Sequence, residues 1–217
     1  MGLPRFSRPE AAFIIGVPIA WAVLLLLHPS GDGTAIYADL RDNVTAMLVV
    51  HVGMLVFIPL FAVVILLLLR GVHSSAARVA RIALVPFVVL YLAWEALQGI
   101  ANGVLVEQLN SMPESTHATG AALIQNFAES PLVRDFGVLA IPGSLALIVA
   151  TLGLGLALRD AGAPRSAPAL FGIAGFLISA HPPPFGPIGL VLFAGAAVYV
   201  MRAQHLVKEP VPQPISA

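Results

Sequence analysis

Three histidines and one glutamate are the residues of this sequence whose types and positions could do chemistry in apolar surroundings. His28, His51 and His181 each lie at or near the end of a long apolar run, and Glu95 lies inside the apolar segment at 91–102. An ionised carboxylate near the centre of a bilayer costs about 2.5–3.5 kcal/mol on insertion scales. Because no Lys or Arg lies in an apolar run except at its ends, histidine is the basic partner available to Glu95.

Glu95 also belongs to a polar stripe on the predicted third helix. Residues three, four and seven positions apart share one face of a helix. Gly99 and Gly103 lie beside the stripe and would let another helix approach closely. This spacing predicts a polar cavity that opens outward and binds a cation, a metal or a small polar ligand. Its predicted ligand-binding residues are Tyr91, Glu95, Gln98 and Asn102.

Imidazole and carboxylate groups together predict a transition-metal site, with zinc, copper or iron as the candidate ions. The chain has no cysteine, so the ligands would be nitrogen and oxygen atoms. No paired motif such as HExxH occurs, and the ligands must therefore converge from different helices. Glu95 is a further ligand or a partner of the ligands, and the predicted metal ligands are His28, Asp32, His51 and His181.

Other functions fit the same residues. Two of the histidines could be axial ligands of a haem. Proton-coupled transport would use Glu95 as its protonation site and would have helices broken near mid-depth. A zinc-dependent membrane enzyme would use a metal-activated water, and a non-catalytic accessory subunit of a larger membrane complex would use the polar stripe to hold helices together. The prolines that would break the helices are Pro18, Pro59, Pro86 and Pro142.

Each candidate residue also has a purely structural interpretation. His28 and His181 both precede proline and could mark helix boundaries. His51 could be a buried, hydrogen-bonded histidine. Glu95 could be a protonated carboxyl that links two helices.

The composition is that of an integral membrane protein. Hydrophobic residues make up 59% of the 217 residues and charged residues only 10%, against about 25% charged residues in soluble domains. Long continuous apolar runs favour helices over a β-barrel. The net charge is zero and no basic run occurs, so a nucleic acid is not an expected partner. The expected partners are the lipid bilayer and a second copy of the chain or a larger membrane complex.

Six apolar runs are long enough to be membrane spans, which requires about 20 residues. The fifth and sixth are separated by HPPPFGP, residues 181–187, and three prolines predict a helical hairpin there. The first span could instead be a cleaved signal peptide, although its apolar run is longer than is usual for one. The predicted spans are 11–28, 46–70, 80–105, 136–158, 167–181 and 185–202.

The distribution of Lys and Arg predicts the orientation of the six-helix bundle. Nine of the eleven lie on the side of the two termini, and only Arg41 and Arg134 lie on the other. The positive-inside rule then places both termini in the cytoplasm and the chain in the cell membrane. Residues 1–205 would form one transmembrane domain and residues 206–217 a disordered tail. In the outer loop 106–135, residues 118–129 predict a short amphipathic helix at the surface or over the bundle as a lid.

Overall fold

The computed structural model describes residues 3–29, 31, 33 and 35–206. Within these ranges the chain forms helices and no β-strand, as the sequence predicts. A π-helical segment, Ala96–Ala101, joins α4 to α5, and a 3₁₀ turn, Glu114–Thr116, precedes α6. The α-helices are α1 Arg8–Leu25, α2 Ile36–Leu40, α3 Val44–Leu68, α4 Ser75–Glu95, α5 Asn102–Asn110, α6 His117–Ala128, α7 Ala140–Asp160, α8 Ala167–Ser179 and α9 Phe185–Leu206.

Five helices are long and apolar enough to cross a membrane, which fits a membrane protein. They are α1, α3, the continuous stretch from α4 to α5, α7 and α9. The predicted fifth span corresponds to α8, which has 13 residues and is about 20 Å long at 1.5 Å per residue. The predicted tail lies outside the described residues from position 207 onward.

Polar caps and glycines set the helix ends. Ser7 forms a capping box with Glu10 at the start of α1, and the Ser74 side chain accepts from the Ala77 amide at the start of α4. Gly71 and Gly162 follow α3 and α7 with φ of 73° and 104°. Only glycine adopts such angles without strain, so a glycine terminates each of these two helices. Both terminations lie at the same end of the bundle.

The prolines do not break the helices, contrary to the expectation attached to a transport pathway. The helices α1, α3 and α4 continue through Pro18, Pro59 and Pro86, and Pro142 lies in the first turn of α7. A membrane helix tolerates proline where neighbouring helices cover the freed carbonyl. The irregular turn occurs instead after Glu95, in the π-helical segment.

Six helices pack side by side in a closed ring in the order α1, α3, α4, α7, α8, α9, with α9 contacting α1 again. One hydrophobic core fills the ring. Its largest fully buried side chains include Trp21, Phe61, Phe87, Phe171 and Phe193. Neighbours in the ring are antiparallel, so the same ends of alternate helices meet at each end of the bundle.

We call the two ends of the ring the arginine end and the histidine end. At the arginine end, Arg70 pairs with Glu10 and Arg81 donates to the carbonyls of Leu69 and Val72 at the end of α3. The histidine end, where α1 ends and α3 begins, carries His28, His51 and His181. The predicted membrane spans therefore bring these three histidines to one end of the bundle.

A small helical cap lies at the histidine end. It consists of α2, α5 and α6, which contact one another. The helix predicted at 118–129 is α6, and it packs on α5 and α2 through a second hydrophobic cluster. That cluster contains Leu40, Met47, Val106, Leu109 and Ile124.

Candidate metal centre

The three histidines at the histidine end form one compact group. The potential ligand atoms of His28, His51 and His181 all lie within 4.8 Å of one another. The ring centroids are 5.1 Å apart for His28 and His51, 5.2 Å for His28 and His181, and 6.0 Å for His51 and His181. His51 and His181 are buried and His28 is partly buried. Side chains from three separate parts of the chain thus converge on one point.

Backbone carbonyls orient two of these rings. His28 Nδ1 lies 2.7 Å from the Pro29 carbonyl oxygen, and His51 Nδ1 lies 2.8 Å from the Met47 carbonyl oxygen. A carbonyl can only accept, so Nδ1 carries the proton in both rings. The Nε2 atom of each neutral ring is left with a free lone pair. Metal-bound histidines are held in the same way, with one ring N–H donating to the protein.

Glu95 lies against two of the three histidines. Its Oε2 atom is 3.5 Å from His51 Nε2, and its Oε1 atom is 3.8 Å from His181 Nδ1. The residue is 1% exposed. No hydrogen-bond donor within the described part of the chain reaches either carboxyl oxygen. A buried, ionised carboxyl without a partner is costly, so its charge must be neutralised by a proton or by a cation.

The π-helical segment and a glycine make room for His51. Glu95 is the last residue before the segment, and Gly99 lies inside it. A Cβ atom at Gly99 would overlap the His51 ring. The wide π turn and the missing side chain together let the imidazole pack directly on the helix backbone beside Glu95. Single π turns of this kind are frequent at functional sites.

A cavity of about 620 Å³ opens beside the histidines. All three histidines line it, together with Gln98, Asn102 and Asp135 as polar neighbours. Most of the remaining wall is apolar, with side chains such as Leu40, Trp94, Leu145 and Phe176. The volume is typical of a site for a small organic molecule.

The polar stripe divides between the cavity and the interior. Gln98 and Asn102 line the cavity, whereas Tyr91 and Glu95 lie in the bundle interior, outside its lining. The Tyr91 hydroxyl donates to the Ser179 carbonyl at 3.3 Å. Asn102 donates to the carbonyl and the side-chain oxygen of Gln98 at 2.9 and 3.1 Å. Of the predicted ligand-binding residues, Tyr91 therefore serves helix packing and Glu95 faces the histidines.

Asp135 is a residue of the site that the sequence did not single out. It accepts a hydrogen bond from Gln98 Nε2 at 3.3 Å and lies on the cavity wall. Desolvation raises the pKa of its carboxyl above the usual value. Its only signal in the sequence is its position immediately before the fourth apolar run. Asp32, the fourth predicted ligand, lies outside the described residues.

His117 lies apart from the three-histidine group. Its Nδ1 atom is 3.3 Å from the Tyr37 hydroxyl and its Nε2 atom is 3.1 Å from the Met112 carbonyl. Both contacts hold the cap together. His117 is therefore a suitable control for substitutions in the group.

Comparison with protein-family models finds no match for this chain. Neither the curated proteins nor the solved structures contain a significant match. The chemistry of the three histidines and Glu95 is therefore the basis for a functional proposal.

Proposed function

We propose that the protein is a transition-metal-binding membrane protein whose ion is held by His28, His51, His181 and Glu95. The observation that carries the proposal is the carboxyl of Glu95, buried between two imidazoles at distances that are not hydrogen bonds. A cation shared by the imidazoles and the carboxylate would compensate the charge of Glu95 and use the free lone pairs of the rings.

The separations of the donor atoms support this ligand set. Zinc bonds of about 2.0–2.2 Å at tetrahedral angles place neighbouring ligand atoms roughly 3.3–3.6 Å apart. The contacts of Glu95 with His51 at 3.5 Å and with His181 at 3.8 Å are close to this spacing. The ligand atom of His28 lies within 4.8 Å of those of His51 and His181, so it adjoins the two histidines that contact Glu95.

Nitrogen and oxygen ligands without thiolate favour zinc or another borderline divalent ion. An ion at the cavity wall could take a water or a polar group of a bound molecule as a further ligand. Metal-assisted hydrolysis is the activity that this arrangement would serve best, because the ion would activate a water next to a substrate-sized space.

A transmembrane transport route has less support from the same geometry. Of the five buried histidine, acid, amide and threonine side chains in the described chain, four belong to the histidine end. The fifth, Thr151, donates its hydroxyl to the Leu147 carbonyl at 3.0 Å. Phe61, Phe171 and Phe193 pack on one another inside the ring, and the described residues that line the cavity all belong to the histidine end. The cavity is thus closed toward the arginine end of the bundle.

Haem also fits poorly. The ligand atoms of three histidines lie within 4.8 Å of one another, and a carboxyl group adjoins two of them. A porphyrin between two axial histidines would need the space that the third imidazole and the carboxyl occupy. A single ion fits this group better than a macrocycle does.

The proposal includes the placement of the protein in the cell membrane with six spans and cytoplasmic termini. The closed ring of six helices supports counting α8 as a span, although α8 alone is about 20 Å long. The excess of Arg and Lys on the side of the termini supports the orientation. The cavity would then lie at the extracytoplasmic end of the bundle.

The proposal is tested by measuring the metal content of the purified protein. Full-length protein in detergent is loaded with Zn²⁺, desalted and analysed by inductively coupled plasma mass spectrometry. We expect about one ion per chain for the native protein, and at most about a tenth of that for His51→Ala and His181→Ala, since each loses one of four ligands.

His117→Ala and His73→Ala are the matched controls, because both residues lie outside the three-histidine group, and they should keep full metal content. A native protein that binds no zinc, copper or iron, or His51→Ala protein with unchanged content, would contradict the proposal. That result would favour the alternative of an accessory subunit whose polar residues only hold helices together.

A further inference from the structure

One wall of the cavity is also part of the outer surface of the helical ring. Ile141 and Leu145 of α7 and Phe176 of α8 line the cavity. The same side chains are 43%, 56% and 64% exposed. A side chain that both lines a cavity and is largely uncovered marks the place where the cavity reaches the surface. The cavity therefore opens sideways, where α7 and α8 adjoin.

This opening lies within the apolar part of the bundle. Leu145 is five residues into α7, or about 7.5 Å along the helix axis from its first residue. Phe176 is three residues before the end of α8. Because α8 is shorter than the hydrocarbon core of about 30 Å, its histidine end would lie within hydrocarbon depth. The opening would then face lipid chains and not water.

The cap covers the opposite wall of the cavity. Ile36 and Leu40 of α2 line that wall. The connection before α2 is fixed to α6, because the Gln125 side chain accepts from the Ile36 amide at 3.0 Å and donates to the Gly33 carbonyl at 3.2 Å. Exposed residues also line the cavity at the end of the bundle, namely Phe136, Ala180 and Pro182. A molecule in the bilayer, in contrast, meets the largely uncovered apolar side chains of α7 and α8.

We propose that the cavity takes a single-chain amphiphile from the bilayer through the opening between α7 and α8. Its acyl chain would lie along Leu145 and Phe176, and its carboxylate or ester head would lie at the three histidines. The position of the head rests on the proposed function, whereas the lateral opening does not. The apolar wall and the volume of about 620 Å³ suit such a chain.

Tryptophan fluorescence offers a direct test. The chain has two tryptophans. Trp94 is 4% exposed and lines the cavity, whereas Trp21 is fully buried in the ring core. Bromine quenches tryptophan only at short range, so 9,10-dibromostearic acid should quench Trp94 from inside the cavity and leave Trp21 unaffected. We expect saturable quenching in native protein and none in Trp94→Phe protein, whose remaining emission also reports correct folding.

The opening is tested with a pair of substitutions on α7. Ser144 lines the cavity and Val149 does not. Ser144→Phe should fill the opening and raise the concentration for half-quenching at least about tenfold, which corresponds to about 1.4 kcal/mol. Val149→Phe, on the lipid-facing surface of the same helix, should leave the concentration for half-quenching unchanged. Equal effects of the two substitutions, or no saturable quenching, would overturn the inference.

Two further arms separate this inference from the metal proposal. Water-soluble 3-bromopropionate should not quench Trp94, and quenching by it alone would show aqueous access and overturn the lateral route. Quenching by dibromostearic acid is measured with and without Zn²⁺. Zinc binding without quenching defeats the lipid inference alone, and quenching without zinc binding defeats the metal proposal alone.

Discussion

Glu95 is fully buried, and its oxygens have no hydrogen-bond donor among the described residues. Its nearest basic atoms belong to His51 and His181. Ionising the carboxyl group in this position destabilises the fold unless a cation compensates the charge. The cost of burying Glu95 and its proposed role as a ligand are therefore two aspects of one arrangement.

Glu95→Gln should separate the effect of Glu95 on stability from its effect on metal binding. The amide keeps the size of the side chain but removes the negative charge and one strong ligand. We expect zinc content to fall at least about fivefold while the metal-free protein gains about 1 kcal/mol, or about 2–4 °C in Tm for a chain of this length. Metal analysis and thermal unfolding in detergent measure the two effects. A loss of stability without a loss of metal would indicate a structural link instead.

Gly99 is the second residue on which the site depends. Gly99→Ala would place a Cβ atom against the His51 ring and displace it. We expect a destabilisation of about 1–3 kcal/mol, as for other overpacked cores, together with weaker zinc binding. Gly16→Ala in α1 is the control, because a Cβ there meets nothing within 4 Å. Thermal unfolding and zinc titration are measured for both variants. Equal stabilities and equal zinc affinities for the two variants would disprove this role.

At the scale of elements, the apolar runs of the sequence predict the main helices closely. The runs at 46–70 and 185–202 correspond to α3 and α9 with ends that differ by only a few residues. Hydropathy suffices here because a helix in lipid satisfies its own backbone and must be apolar along its length. The prediction of an all-helical chain follows from the same requirement.

The sequence does not predict the irregular elements. The π turn after Glu95 packs against α3. Its residue types do not distinguish it from an ordinary α-helix, so the sequence alone does not predict it. The sequence places His28, His51 and His181 at one end of the bundle, but the ring orientations follow from carbonyls that only the fold brings near. Asp135 was missed because its link to Gln98 joins residues 37 positions apart.

The cap is an element whose integrity should control how long the ion stays bound. Gln125 fixes the connection that follows His28 and Pro29. Gln125→Ala should loosen this connection, and because the Pro29 carbonyl orients the His28 ring, zinc should be released several-fold faster to a chelator. Asn126→Ala, at the exposed neighbouring position, is the control. Stopped-flow zinc release with an indicator dye measures both rates, and identical rates would show that the cap is independent of the site.

At the scale of the whole molecule, the absence of cysteine makes the orientation testable with single introduced thiols. Ser115→Cys lies in the cap and Ser166→Cys lies at the arginine end; both positions are exposed. In intact cells a membrane-impermeant maleimide should label Ser115→Cys and not Ser166→Cys. Both should react after the cells are lysed. The reverse pattern would place the termini and the arginine end outside the cell.

The ring of helices closes through the contact between α1 and α9. During synthesis, α1 can make this contact only after α9 has been made. The proposed ligands come from positions 28 to 181, so a chain that stops before His181 would lack one of them. Acquisition of metal would then report that synthesis has passed His181, the last of the proposed ligands.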